Sequence, residues 1–300
     1  MSVESPSGRP IPLLEPGSAE WLRRMSASKI AAVVGLSPYQ SRYSLWCQMA
    51  GLTPQPEQTT AMSRGHYLEP AIAAWFADQH PDCRVETTGT WVHAEHDWMV
   101  ASPDRLLVHP SGHTELVQCK SAGDRENWGE PGTDDIPVGY RAQVQWEMLV
   151  TGVSTCHVAV ITSFLEFRPY VVEYDEREAA YLVAQARGFL DSLAAGVRPD
   201  LDSHKATFEA VKQLHPAVDD VKVDVPGELA TAYLEAVEAC RAAEDVKRLA
   251  SARLAEHMGT AQAAYYSGQC IARRQVKNGG TPYLVAARGA SLSSVRSDAA

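Results

Sequence analysis

Three residues of this chain have side chains suited to catalysis: the acid Asp104, and the polar residues Gln118 and Lys120, which lie two positions apart. Asp104 follows Pro103 at the end of a predicted strand. Gln118 and Lys120 fall on the next strand, where residues two apart share a face. A strand acid with a second acid and a lysine beside it suits metal-assisted hydrolysis, in which the acids hold the ion. Here an amide takes the second acidic position.

Simpler interpretations of these side chains stay open. An Asp after a proline in a turn commonly bonds the local backbone, and a helical glutamate such as Glu69 is ordinarily a solvated charge. Lys120 has apolar strand neighbours, Val117 and Cys119. A partly buried lysine is costly unless an anion pairs with it, so a functional interpretation is favoured for Lys120. Glu115 has the opposite strand parity and is predicted to lie on the other face.

A helix predicted from 137 to 150 brings further polar groups. Tyr140, Gln143 and Glu147 share one helix face through their three- and four-residue spacing. An amide and a phenol on such a face can bind a DNA backbone or brace a carboxylate. A polar helix surface without a ligand is the alternative.

Composition limits the classes of protein. The 300 residues suit one large domain with an appendage, or two small domains. A net charge of −10 argues against a non-specific nucleic-acid coat, although an enzyme acting on DNA needs only a local basic lining. No secretory signal and no membrane-spanning apolar run are visible in the sequence, which predicts a soluble intracellular protein without a membrane partner.

The cysteines and histidines give no strong metal motif. The six cysteines lie at least thirty residues apart, so no CxxC pair exists and neither a zinc ribbon nor a disulfide framework is indicated. His93 and His96 either share a metal or form a surface pair beside a strand.

Composition shifts along the chain predict its organisation. All seven tryptophans fall in the first half, and the segment 196–200 contains Gly and Pro that end a helix. We predict a flexible N-terminus at 1–17, a core domain at 18–200, a helical extension with a small terminal hairpin at 201–288, and a disordered tail at 289–300.

Periodicity predicts an α/β (α+β) core with a mixed sheet, because helices precede an antiparallel meander, a helix, two strands and a helix. The predicted helices are 28–34, 43–50, 62–80, 137–150, 175–195 and 226–258. The predicted strands are 83–92, 98–101, 105–109, 114–120, 155–162 and 166–174, with a hairpin at 269–277 and 283–287.

Several short segments in this order resemble one family. They are residues 26–29, 35–39, 64–70, 102–104, 118–120, and 140–145 with 151–152. Over about residues 20–195 the chain resembles YqaJ-type viral recombinases, relatives of phage lambda exonuclease in the PD-(D/E)XK nuclease superfamily.

The resemblance implies a restriction-endonuclease-like core, a mixed sheet flanked by helices with a metal site on the sheet. It implies Mg²⁺-dependent removal of one strand of linear duplex DNA, 5′ to 3′, with Mn²⁺ as a substitute ion, leaving 3′ overhangs for recombination. It further implies DNA ends and a single-strand annealing protein as partners, a trimer as the assembly, and the cytoplasm of a bacterial host as the location.

By position in the family motifs, Asp104 and Gln118 would hold metal with the Cys119 carbonyl, and Glu69 would support a second ion. Lys120 would orient or activate the attacking water and offset transition-state charge. The residues matching positions that contact DNA or its 5′-phosphate are Arg23, Arg24, Ser28, Ser102, Tyr140 and Gln143.

Gln118 departs from the family pattern. Its amide oxygen can bind Mg²⁺ but supplies no negative charge, so a Gln118→Glu change is predicted to tighten Mg²⁺ binding. The favoured interpretation is an active exonuclease. The alternatives are a non-catalytic DNA-end-binding module with a degenerate metal site, and a helicase-associated or CRISPR-type nuclease. The commonest forms of that last class need a C-terminal cysteine cluster, which the sequence lacks.

Overall fold

A computed structural model describes residues 6–123, 127–287 and 289–292, and it divides the chain into two compact units. The first unit is Met1–Val218 and the second is Asp219–Ala300. The boundary predicted at residue 200 falls within the first of these units. Residues after it form a helix, Lys205–Leu214, that packs on the helix Arg42–Met49 of the first unit.

The first unit combines helices with two sheets. Its helices are α1 Ala19–Arg23, α2 Ala27–Val33, α3 Arg42–Met49, α4 Thr60–Asp78, α5 Val138–Thr151, α6 Glu176–Ala194 and α7 Lys205–Leu214. Its strands are β1 Arg9–Ile11, β2 Met25–Ser26, β3 Arg84–Thr87, β4 Thr90–Val92, β5 Met99–Ala101, β6 Arg105–Val108, β7 Thr114–Ala122, β8 Thr155–Thr162 and β9 Phe167–Glu173.

The main sheet has five strands in the order β3-β6-β7-β8-β9. Neighbouring strands in this sheet pair antiparallel, except β7 and β8, which are parallel and are connected through α5. A parallel pair needs such a crossover because a tight turn cannot return the chain to the same end of the sheet. The predicted mixed sheet flanked by helices is confirmed.

Strand β7 is buried between helices on both faces. Leu116 packs in an apolar cluster with Val144 and Met148 of α5. Val117 lies in another cluster with Phe76 of α4. The polar side chains of this strand therefore stand in an apolar frame, and each needs a partner because burial without one is costly.

A smaller sheet, in the order β1-β4-β5-β2, corrects two predictions. The single strand predicted over 83–92 is two strands in two sheets, interrupted at Gly89. A side chain at Gly89 would lie 2.8 Å from the Ile11 carbonyl oxygen of β1, so glycine allows this close approach. The N-terminus predicted to be flexible over 1–17 contains the paired strand β1.

Local signals set the ends of α5 and α6. Gly152 closes α5 in a left-handed conformation, φ 76°, which glycine adopts without strain. Asp175 caps α6 by accepting hydrogen bonds from the amides of Arg177 and Glu178.

The second unit contains the helix α8 Gly227–Met258 and the strands β10 Ala263–Tyr266, β11 Gln269–Gln275 and β12 Tyr283–Ala286. β11 and β12 pair antiparallel as predicted, and β10 adds a third strand that we did not predict. The disordered tail predicted at 289–300 lies mostly outside the described residues. Within the described part of the chain, no helix has the length and hydropathy to cross a membrane.

Candidate active site

The Asp104 side chain forms a hydrogen bond to the central strand β7 rather than to the backbone of its own turn. The β6–β7 ladder ends where Arg105 faces Val117. Beyond that point the Asp104 Oδ2 atom accepts a hydrogen bond from the backbone N–H of Cys119, at 2.8 Å. Burial raises the pKa of Asp104 above its ordinary value, and nearby Lys120 opposes this rise. The local-backbone interpretation of Asp104 is therefore replaced by a contact between strands.

Gln118 and Lys120 lie together on the face of β7 that packs on α5. The Lys120 Nζ atom donates to the Gln118 amide oxygen at 3.2 Å and to the Gln143 amide oxygen at 3.3 Å. The shared face predicted from strand parity is confirmed for this pair. The Lys120 ammonium also lies 5.2 Å from the centre of the Tyr140 ring.

Glu147 also belongs to this site, although its sequence context predicts only a shared helix face with Tyr140 and Gln143. Its side chain is 1% exposed. Its two carboxylate oxygens accept from the side-chain amides of Gln118, at 2.7 Å, and Gln143, at 2.8 Å. Burial raises the pKa of Glu147 to about 7, against the opposing influence of Lys120. Its helical spacing from Gln143 was visible in the sequence, but its contact with Gln118 was not.

Glu69 is held by an arginine that sequence reasoning also missed. Its Oε1 atom accepts from Arg105 Nη1 at 2.6 Å, and the two side chains are 30% and 14% exposed. Glu69 is thus a half-buried ion-pair partner rather than a free surface charge. It raises the pKa of Asp104 further, which indicates that the two carboxylates feel each other.

The donor atoms brought together here suit a hard cation. Asp104 and Glu69 supply carboxylate oxygens, and Gln118 supplies an amide oxygen, the ligand type that Mg²⁺ takes. A cation would also offset the cost of burying Asp104. Over the described residues, no group of three or more His, Cys, Asp or Glu is arranged to hold a metal. Gln118 supplies an amide oxygen to this donor set, and the buried Glu147 carboxylate lies behind that amide at 2.7 Å.

Cys119 contributes no thiolate to this donor set. Its side chain points to the opposite face, into the cluster with Phe76. Burial raises the pKa of the Cys119 thiol to about 12, so the sulfur stays protonated at neutral pH. Any contribution of Cys119 to a metal must come from its backbone carbonyl.

A cavity of about 730 Å³ opens beside this cluster. Three of the residues predicted to contact DNA line it: Ser28, Tyr140 and Gln143. Trp128 is a further lining residue, and its ring lies 5.7 Å from that of Tyr140. The cavity therefore joins the polar cluster to an aromatic wall, the type of surface on which nucleobases stack.

The other predicted phosphate contacts lie outside the lining of this cavity. Ser102 is exposed, and its hydroxyl is 2.9 Å from that of Thr90. Arg24 pairs with Glu20 at 2.7 Å, and Arg23 is exposed at the end of α1. The structure thus brings Ser28 to the cavity but not these three residues.

His93 and His96 stack on each other with ring centroids 5.0 Å apart. Both rings are half-buried, and the surface-pair interpretation stays a prediction.

Comparison with known proteins supports the resemblance found in the sequence. Residues 20–154 match the family model of the YqaJ-like viral recombinase domain, a segment that contains Asp104, Gln118, Lys120 and Glu147. The resemblance is confirmed over this segment, which ends before residue 195. No curated protein matches the chain.

Solved exonuclease structures show similarity to part of the chain. The crystal structure of the alkaline exonuclease LHK-Exo from Laribacter hongkongensis is 25% identical, covers 61% of this chain and 94% of its own, and has a TM-score of 0.49. The complex of LHK-Exo with dAMP is also 25% identical, covers 59% of this chain and 91% of its own, and has a TM-score of 0.49. A phage-related exonuclease from Haemophilus somnus is 13% identical, covers 58% of this chain and 96% of its own, and has a TM-score of 0.44.

Proposed function

We propose that this chain is a metal-dependent DNA exonuclease that degrades one strand of linear duplex DNA, 5′ to 3′, and leaves 3′ overhangs for recombination. The observation that carries the proposal is the convergence of Asp104, Gln118 and Lys120, with Lys120 held between two amide oxygens. The match of residues 20–154 to the viral recombinase domain supports a nuclease role in recombination. The direction and the products are inferred from the family resemblance.

Asp104 and Gln118 would hold a Mg²⁺ ion, with Mn²⁺ as a substitute, and Glu69 and the Cys119 carbonyl would assist. When bound, the ion supplies Lewis-acid activation of water and neutralises charge on the phosphate. Arg105 keeps the Glu69 carboxylate in place through their ion pair. Only two of these groups are charged acids, so we expect the second ion to be held weakly.

Lys120 supplies a fixed positive charge at the reacting phosphate. Its ammonium is already oriented by Gln118 and Gln143, so no reorganisation is needed when negative charge develops in the transition state. The same ammonium can orient the attacking water. Tyr140 lies beside it and limits the directions from which the phosphate can approach.

The cavity lined by Ser28, Tyr140 and Gln143 is the proposed place for the end of the DNA strand. Ser28 would donate to the 5′-phosphate, and the Trp128 and Tyr140 rings would face the terminal bases. Arg23, Arg24 and Ser102 would contact phosphates outside the cavity. By family resemblance, we propose a single-strand annealing protein as partner, a trimeric assembly and action in the cytoplasm of a bacterial host.

A second candidate is a DNA-end-binding module without catalysis. The amide at position 118 favours it, because an amide oxygen supplies no negative charge to hold an ion. The oriented ammonium of Lys120 is unnecessary for simple binding and favours the enzyme.

The test uses linear duplex DNA with 5′-phosphates and a separate label on each strand. We expect nucleotide release from one strand with Mg²⁺ and none with EDTA. Asp104→Ala should reduce release by about 10³-fold because it removes a charged ligand of the ion. Asp191→Ala, an exposed position on α6, serves as the matched control. Metal-dependent end binding without release of nucleotides would establish the second candidate.

A further inference from the structure

Two glutamine amides bridge the same anion and the same cation. Gln118 donates from Nε2 to one oxygen of Glu147 and accepts at Oε1 from Lys120. Gln143 does the same with the other oxygen of Glu147. Glu147 and Lys120 are thus joined through two parallel amides rather than by direct contact.

The charges at the two ends determine which way both amides point. Turning the Gln118 amide over would place its NH₂ group against the Lys120 ammonium and its oxygen against the Glu147 carboxylate. Both contacts would then be repulsive, since an ammonium only donates and a carboxylate only accepts. Glu147 therefore holds the amide oxygens of Gln118 and Gln143 toward Lys120, the side of the site where Asp104 lies.

We propose that Gln118 and Glu147 form an exchanged acid–amide pair, in which the buried carboxylate missing from strand β7 is supplied by helix α5. Glu147 is then a positioning residue: it balances the charge of Lys120 and orients the two amide oxygens, without itself touching DNA or metal. The inference deepens the proposed function because it concerns the same site.

Burial explains why the two positions depend on each other. Glu147 is fully enclosed, and removing either amide donor would leave a carboxylate oxygen without a hydrogen bond. A glutamate at 118 alone would place a second carboxylate at the 2.7 Å contact with Glu147, where two negative charges repel. A glutamine at 147 alone would remove the carboxylate that balances Lys120 through the two amides, and Asp104 would remain as its nearby anion.

Exchanging both residues restores every contact. In the Gln118→Glu/Glu147→Gln protein, the NH₂ group of the new amide at 147 donates to the new carboxylate at 118. The oxygen of that amide at 147 accepts from the Gln143 amide. The Lys120 ammonium then pairs directly with the carboxylate at 118. From sequence alone, Gln118→Glu is predicted to tighten Mg²⁺ binding; with Glu147 in contact, we expect that gain only in the double exchange.

The first measurement is thermal unfolding in EDTA of the parent, both single variants and the double variant. Each single change should lower the Tm by on the order of 10 °C, as expected when one partner of a buried pair is removed. The double variant should recover at least half of the combined loss. Gln79→Glu with Glu57→Gln, the same exchange at two exposed positions, should show no coupling.

The second measurement is calorimetric titration with Mg²⁺ alone, which a merely structural role would not change. Glu147→Gln should weaken Mg²⁺ binding by about tenfold, the size typical of residues that support a ligand. The double variant should bind Mg²⁺ more tightly than the parent, because a carboxylate replaces the amide ligand.

If the loss of Tm in the double variant equals the sum of the losses in the two single variants, the exchanged pair is overturned. A Gln118→Glu protein as stable as the parent would also overturn it. If either single variant fails to fold, a folded double variant supports the pair and an unfolded one overturns it. The unfolding measurement needs neither metal nor catalysis. It can therefore succeed when nuclease activity is absent, which separates this inference from the proposed function.

Discussion

One carboxylate lies against each face of strand β7, the enclosed Glu147 and the half-buried Glu115, and their pKa values move in opposite directions. On the α5 side, Glu147 accepts from neutral amides only, and burial raises its pKa to about 7. On the α4 side, Glu115 accepts from His157 and His109, both at 2.9 Å. These hydrogen bonds, led by that of His157, lower the pKa of Glu115 to about 2.

The pKa of each carboxylate therefore depends on the hydrogen-bond donors that face it as well as on its burial. Imidazoles can take up a proton and neutralise Glu115 locally, so its charge is used in holding the sheet together. Neutral amides cannot, so Glu147 is partly protonated at neutral pH, and its ionised form is the one that balances Lys120 beyond the amides. The contacts of Glu115 lie within the sheet, between β7 and β8, whereas those of Glu147 lead through Gln118 to the ammonium of Lys120.

Among single substitutions near strand β7, Lys120→Met on the α5 side should have the greatest effect on nuclease activity. The change keeps the length of the side chain and removes its charge, so nuclease activity should fall by about 10³-fold through loss of transition-state stabilisation. Strand-specific release from 5′-phosphorylated duplex DNA measures it. Lys212→Met, an exposed lysine on α7, is the control. Full activity of Lys120→Met would remove Lys120 from the reaction.

Glu115→Gln should instead affect stability and leave nuclease activity at neutral pH unchanged. The folded pKa of about 2 lies below the ordinary 4.5, so its stabilisation is present above about pH 4.5 and disappears as pH falls toward 2. A shift of this size corresponds to about 3 kcal/mol of folding free energy. Denaturant unfolding between pH 2 and 6 should show a flatter acid slope in the variant than in the parent. An unchanged slope would contradict the assignment.

The smallest expected difference separates two histidines beside Glu115. His157 lies at 2.9 Å and is 14% exposed, whereas His113 lies at 3.6 Å and is 37% exposed. His157→Gln should cost about 1–3 kcal/mol at pH 6, as for a charged hydrogen bond. His113→Gln should stay within about 0.5 kcal/mol, as for an exposed pair. Equal costs, measured by denaturant unfolding, would mean that distance and exposure do not rank these partners.

Features that depend on neighbouring residues were predictable from the sequence. Asp175 and Gly152 mark helix ends because capping and a left-handed turn need only adjacent backbone. The strand Thr155–Thr162 follows from its run of β-branched and apolar residues. The shared face of Gln118 and Lys120 follows from the two-residue period of a strand. The family resemblance rests on the same kind of information, since short motifs keep their order along the chain.

Features that depend on distant residues needed the tertiary structure. Asp104 reaches the Cys119 amide because the β6–β7 ladder ends at Arg105, and pairing length is not encoded in strand propensity. The interruption at Gly89 arises from the approach of β1, about eighty residues earlier in the chain. Burial, which changes the pKa of a carboxylate, is likewise a property of the assembled fold.

The order of residues along the chain establishes that an acid, an amide and a lysine follow one another on predicted strands of a mixed sheet. The role of the amide is visible only in the folded chain. Folding brings Glu147 of α5 to 2.7 Å from Gln118, across 29 residues of sequence, and encloses the pair. Periodicity can assign a residue to a face, but the partner across that face is set by how helix and strand pack.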